Sequence, residues 1–140
     1  MNLKIKYRQL IWIVWTLPIL NILGCGAMSQ QDKIHGSVTY LERITLPPNA
    51  QLEIVLADVS LADAPYKAIA EKKINPTGQV PIQFELNYDP KKIMINHTYA
   101  VMARIRDDGR LLFINDQSYQ VITRGQPNTV AMVLKKVNER

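Results

Sequence analysis

The chain has 140 residues, 17 lysines and arginines against 12 aspartates and glutamates, a formal net charge of +5, and one cysteine. Lys4, Lys6 and Arg8 supply three of the five net charges, which leaves about +2 on the rest, where the signs are mixed. No continuous basic stripe with interleaved aromatics occurs, which argues against a nucleic-acid partner, and the length suits one domain with a real core.

The first element is an apolar run over residues 10–23, behind a segment whose only charges are Lys4, Lys6 and Arg8. A basic n-region followed by an apolar h-region shorter than a comfortable span of roughly 20 residues reads as a signal peptide. The run stops at Ile22-Leu23-Gly24-Cys25, which resembles a bacterial lipobox, with Leu23 in place of the small residue usual at its centre. The expected organisation is a lipoprotein signal peptide at 1–24, an acylated Cys25 with a flexible tether to residue 33, and a folded domain at 34–137. A single cysteine makes no intramolecular disulfide, and an acylated one leaves no free thiol in an exported protein. Covalent diacylglycerol and N-acyl lipid on Cys25 is the expected modification, and no other cofactor is implied. An uncleaved N-terminal anchor helix with an incidental cysteine is the alternative. By resemblance to lipoproteins of this type, Gly26 in place of an aspartate implies the outer membrane, facing the periplasm of a Gram-negative bacterium.

Beyond the tether the dominant period is two, the mark of strands that bury one face. Ile34, Gly36, Val38 and Tyr40 share one face, and Pro47-Pro48-Asn49 breaks the chain before Leu52, Ile54 and Leu56 repeat the pattern. Residues 66–74 contain good helix formers, but turn chemistry on both sides and the lysines favour an edge strand over a helix. Val80, Ile82, Phe84 and Leu86 alternate again, with Pro81 marking an edge or a strand start. Asp89-Pro90 introduces one short helical turn. Tyr99, Val101, Ala103 and Ile105 share the next face, and Asp107-Asp108-Gly109 supplies a hairpin turn into residues 111–114. Short strands at 119–123 and around Val130, Met132 and Leu134 complete the chain. Seven to eight short strands without a long helix predict an all-β, antiparallel β-sandwich. Tyr99 opens a late strand two residues before Val101, the place of a tyrosine corner, which sharpens the expectation to an immunoglobulin-like sandwich; an ordinary strand tyrosine is the alternative.

Catalytic chemistry is hard to assemble from these residues. His35 and His97 have no Cys, His or Glu at metal-ligand spacing, and the serines lack a nucleophile elbow. Asp107-Asp108 reads as a turn, and no phosphate-binding glycine motif is present. The expectation is a protein that is not an enzyme.

Two blocks early in the domain, Tyr40-Leu41-Glu42-Arg43-Ile44-Thr45-Leu46-Pro47-Pro48-Asn49-Ala50 and Leu56-Ala57-Asp58-Val59-Ser60-Leu61-Ala62-Asp63-Ala64-Pro65, carry a family resemblance. It continues through Gln79-Val80-Pro81-Ile82-Gln83-Phe84-Glu85-Leu86-Asn87-Tyr88-Asp89-Pro90, Tyr99-Ala100-Val101-Met102-Ala103-Arg104-Ile105 and Leu111-Leu112-Phe113-Ile114-Asn115-Asp116. Together they resemble the YbaY-like lipoproteins, grouped with the YscW-type lipoprotein chaperones of type III secretion. The resemblance implies an immunoglobulin-like sandwich on a lipid anchor, no catalytic residue, and binding to another envelope protein, as pilotins bind a secretin subunit. The alternative is a module binding an envelope glycan or small ligand between loops, with Pro47, Pro48, Asn115 and Asp116 as surface candidates. The plain reading of those four is turn-making.

Overall fold

The computed structural model describes residues 31–138. The predicted signal peptide at 1–24, Cys25 and residues 26–30 of the tether lie outside the described residues. Among those described are eight strands: β1 (Asp32–Tyr40), β2 (Ala50–Asp58), β3 (Lys67–Ile74), β4 (Ile82–Tyr88), β5 (Tyr99–Asp107), β6 (Arg110–Ile114), β7 (Tyr119–Val121) and β8 (Thr129–Lys136). A single 3-10 turn at Pro90–Lys92 is capped by Asp89, whose carboxylate accepts the Lys91 N–H at 2.9 Å. Asp32 and Lys33, expected in the tether, already pair with Tyr88 and Asn87 of β4.

The strands form one mixed, barrel-like sheet in the order β3-β2-β5-β6-β8-β1-β4, with β7 pairing β5 off that path. This corrects the expectation of an antiparallel sandwich, because β1 and β8 run parallel, with His35 opposite Thr129 and Tyr40 opposite Leu134. Alternation fixes which face a residue takes, but β1 and β8 are joined by no hairpin, so no local signal sets their relative direction. The edge strands β3 and β4 approach without forming a ladder. There Lys72 Nζ donates to the Glu85 carbonyl at 2.7 Å, leaving the barrel nearly closed. The edge position expected for residues 66–74 is the one β3 takes, with Lys67, Lys72 and Lys73 along it.

Strand direction gives the domain two ends. At one, β1 begins at Asp32 beside Tyr88, and β2 ends at Asp58 opposite Tyr99. At the other lie residues 41–49, the β5–β6 turn and the end of β8. In that turn Asp108 and Gly109 have φ of 46° and 84°, the paired left-handed conformation of a type I′ hairpin, which suits Asp-Gly.

The inward faces are those the period of two marks out. Ile34, Val38, Leu52, Ile54, Leu56, Val101, Ile105, Met132 and Leu134 are buried, each contributing on the order of 1.5–3 kcal/mol by leaving water. Gly36 interrupts the β1 face for a steric reason: a Cβ there would lie 2.5 Å from the Phe84 ring and 2.6 Å from the Val130 carbonyl oxygen. On the outer face Glu53 gathers Arg104 at 2.9 Å, Arg106 at 3.4 Å and Lys73 at 3.5 Å across three strands.

Tyr99 is the expected corner. Its side chain is buried, and its hydroxyl accepts the Met94 N–H at 2.9 Å, tying the start of β5 back to the preceding loop. Tyr99→Phe should lower unfolding free energy by about 0.5–1.5 kcal/mol in denaturant melts. Gly36→Ala should lower it by about 1–3 kcal/mol, since the Phe84 ring or the β8 backbone must shift to admit one methyl group.

Candidate partner-binding cleft

A cleft of about 590 Å³ opens at the end of the barrel away from the start of β1. Its first wall is the β1–β2 connection. Tyr40 stacks on Phe113 with ring centroids 4.2 Å apart, and its hydroxyl donates to the Ile44 carbonyl at 2.8 Å. Leu46 is buried, and its N–H donates to Gln79 Oε1 at 2.8 Å. Ala50 N–H donates to the Pro47 carbonyl at 3.0 Å, closing the turn that the prolines begin. These contacts hold Ile44, Thr45 and Pro47 against the cleft.

The second wall is β6 with the end of β8, where Val137 N–H donates to the Leu112 carbonyl at 2.9 Å. Leu111, Leu112, Phe113 and Val137 line it, with Arg110 and Lys136 at the rim. Leu111, Leu112, Phe113 and Ile114 are four apolar residues in succession, and a strand cannot turn all four inward. Phe113 takes the core, Leu111 and Leu112 are half-buried at the cleft, and Ile114 remains 39% exposed. That break in alternation is the signal in the sequence for this surface. Beside it, Glu42 Oε1 accepts the Lys136 N–H at 3.4 Å, while Glu42 Oε2 is buried with no hydrogen-bond partner among the described residues.

The four surface candidates do not converge. Pro47 lines the cleft, and Pro48 is exposed next to it. Asn115 is committed to its own turn: its Oδ1 accepts the Ala103 N–H at 2.9 Å and its Nδ2 donates to the Gln117 carbonyl at 2.9 Å. Asp116 pairs with Lys135, whose hydrogen bond holds the carboxyl below its ordinary range. Among the cleft residues that sequence reasoning did not single out, Ile44, Leu111 and Leu112 fall within blocks that carry the family resemblance, and Val137 lies beyond the last of them.

A smaller cleft, of about 320 Å³, lies at the opposite end among residues of the β2–β3 and β4–β5 connections. Asp58, Ser60 and His97 meet there. His97 Nδ1 is 2.6 Å from Asp58 Oδ2, Ser60 Oγ donates to Asp58 Oδ1 at 2.5 Å, and Ser60 Oγ accepts the Thr98 N–H at 2.9 Å. Serine and histidine thus both face the carboxylate, so His97 is not placed to take a proton from Ser60 as a nucleophile's base must. Their role is to tie two loops together. Among the described residues, no group of three His, Cys, Asp or Glu side chains is placed to hold a metal ion.

With the geometry in place, comparison with known proteins assigns the chain. The family model for the type III secretion system lipoprotein chaperone YscW matches residues 29–134. The chain belongs to this family. Its members are lipoprotein chaperones, not enzymes. The chain is similar to the uncharacterized lipoprotein YbaY of Escherichia coli (strain K12), with 37% identity over 97 residues. Those residues are 69% of this chain and 51% of that protein, so the chain spans about half the length of the curated relative it matches. It is also similar to an alternative pilotin from the type II secretion system of Vibrio cholerae. That structure shares 47% identity and a TM-score of 0.75, over 79% of this chain and 100% of the other.

The loop tie has a defined pH dependence. Partial burial pushes the Asp58 carboxyl up, but hydrogen bonds from Ser60 and His97 outweigh this and hold it below its ordinary value. A depressed folded-state pKa means that the stabilisation is complete above the unfolded-state pKa and is lost as pH falls through the folded one. Urea midpoints of the native chain should therefore fall on acidification through the carboxylate range, and Asp58→Asn should start lower at neutral pH and show a smaller fall.

Proposed function

We propose that the protein is an outer-membrane lipoprotein, anchored through Cys25, that binds a secretin subunit as a pilotin. The observation that carries this reading is the 47% identity to an alternative pilotin across the whole length of that chain. The family description names type III secretion and the structural relative belongs to a type II system; the proposed function is the chaperoning of a secretin subunit in either setting. The tyrosine corner at Tyr99 supports the narrower immunoglobulin-like reading of the fold.

The work of such a chaperone is recognition. The cleft between residues 41–49 and β6 suits a client segment with apolar anchors flanked by acidic residues, since Ile44, Leu111 and Leu112 offer apolar contact and Arg110 and Lys136 stand at the rim. The buried Glu42 Oε2 offers an acceptor to a donor from that segment.

Crosslinking in intact envelopes, followed by capture and mass spectrometry, tests this. The native lipoprotein should enrich a secretin subunit, and Leu112→Asp should reduce its capture by about tenfold or more, as expected of a central apolar contact. Cys25→Ser should release the protein from the membrane fraction. Enrichment of no envelope protein by the folded native form would overturn the chaperone reading, and a ligand held between the loops would then be the reading to pursue.

A further inference from the structure

The end of the barrel where β1 begins carries an apolar tip with no role in the cleft. Leu61 is 73% exposed, Met94 56% and Ile95 84%. Leu61 and Met94 line the same small cleft, and Ile95 follows Met94 directly, so two loops bring these side chains to one end. Scattered apolar residues on a surface need no explanation, but a cluster held outward does.

This cluster is held outward by a network. Met94 N–H donates to the Tyr99 hydroxyl at 2.9 Å, and His97 N–H donates to the Met94 carbonyl at 3.0 Å. Arg124 donates to the Asn96 carbonyl at 3.0 Å, and Thr123 Oγ1 donates to the His97 carbonyl at 2.7 Å. The His97–Asp58 contact adds the tie to β2. Met94, Asn96 and His97, on both sides of Ile95, are each fastened through backbone or side chain, so Met94 and Ile95 are presented by a braced turn, with much of the ordering entropy of a contact already spent.

Position and charge identify the occupant. The loop bearing the tip leaves β4 at Tyr88, the residue paired with Asp32 at the start of β1. Six residues separate Cys25 from Asp32, a reach of at most about 25 Å even if fully extended. A lipid on Cys25 therefore keeps this end of the domain at the bilayer surface. Lys67, Lys91 and Lys92 are exposed around the tip, against Asp63 and the turn-capping Asp89.

We propose that Leu61, Met94 and Ile95 seat in the headgroup region of the membrane that holds the anchor, with Lys67, Lys91 and Lys92 on anionic phospholipid headgroups. Apolar side chains flanked by lysines are the chemistry of interfacial binding. The contact fixes the orientation of the domain, so that the larger cleft at the opposite end faces away from the bilayer. The proposal rests on the reading of Cys25 as the lipid-bearing residue.

The test uses the mature lipoprotein in vesicles of phosphatidylethanolamine with phosphatidylglycerol. Cys25 is the only cysteine, so with its thiol acylated a cysteine introduced at Ile95 or Leu41 takes a single environment-sensitive label. The Ile95→Cys label should shift to the blue and be quenched severalfold by nitroxide-bearing lipid. The Leu41→Cys label, 81% exposed at the far end, should do neither. Lys91→Gln with Lys92→Gln should weaken the quenching at Ile95 while the thermal melt stays unchanged.

A protein that floats with the vesicles while its Ile95 label remains in water overturns the proposal and leaves the anchor intact. A blue-shifted Ile95 label that nitroxide lipid does not quench also overturns it, because protein then covers the tip. Failure to float, with two thiols labelled instead of one, overturns the anchor reading and the seating with it.

Discussion

The fold depends on β1 lying between β4 and β8. Without it β4 and β8 have no common neighbour, since β4 touches no other described strand by a ladder and β8 reaches β6 only through Phe113 and Ile114. The place is kept by close approach: the Phe84 ring and the Val130 carbonyl meet over Gly36, where a side chain would hold the neighbours apart. The other side of the barrel is knit differently, by long ladders from β2 to β3 and β5 and by the Glu53 charge cluster above them.

Much of this could be read from the residues, and the parts that could not share a cause. The inward faces of β1, β2, β5 and β8 follow the period of two, and local chemistry marks the Asp108-Gly109 hairpin, the Asp89-capped turn and the corner at Tyr99. Each of these is decided within a few residues. The parallel pairing of β1 with β8 is decided by strands at opposite ends of the domain, and no run of residues encodes it. Val55 and Ala57 are buried on the face of β2 that alternation would leave to solvent, a departure that the period of two does not mark.

The site was legible in an indirect way. Pro47, Pro48, Asn115 and Asp116 drew notice as polar or rigid loop residues, yet Asn115 and Asp116 spend their polar groups within the chain, and of the four only Pro47 lines the cleft. The informative feature was an irregularity, four apolar residues in a strand that can bury only half of them. A protein that binds without catalysing has no reacting atoms to position, so a binding surface is marked by exposed hydrophobic residues rather than by a motif.

The distance along the chain between β1 and its partners has a consequence for the order of assembly. The first strand meets β4 some fifty residues later and β8 about a hundred residues later, so both of its ladders are long-range pairings and the second needs the last part of the domain. Closure of the sheet around β1 therefore waits for β8, the last of the described strands.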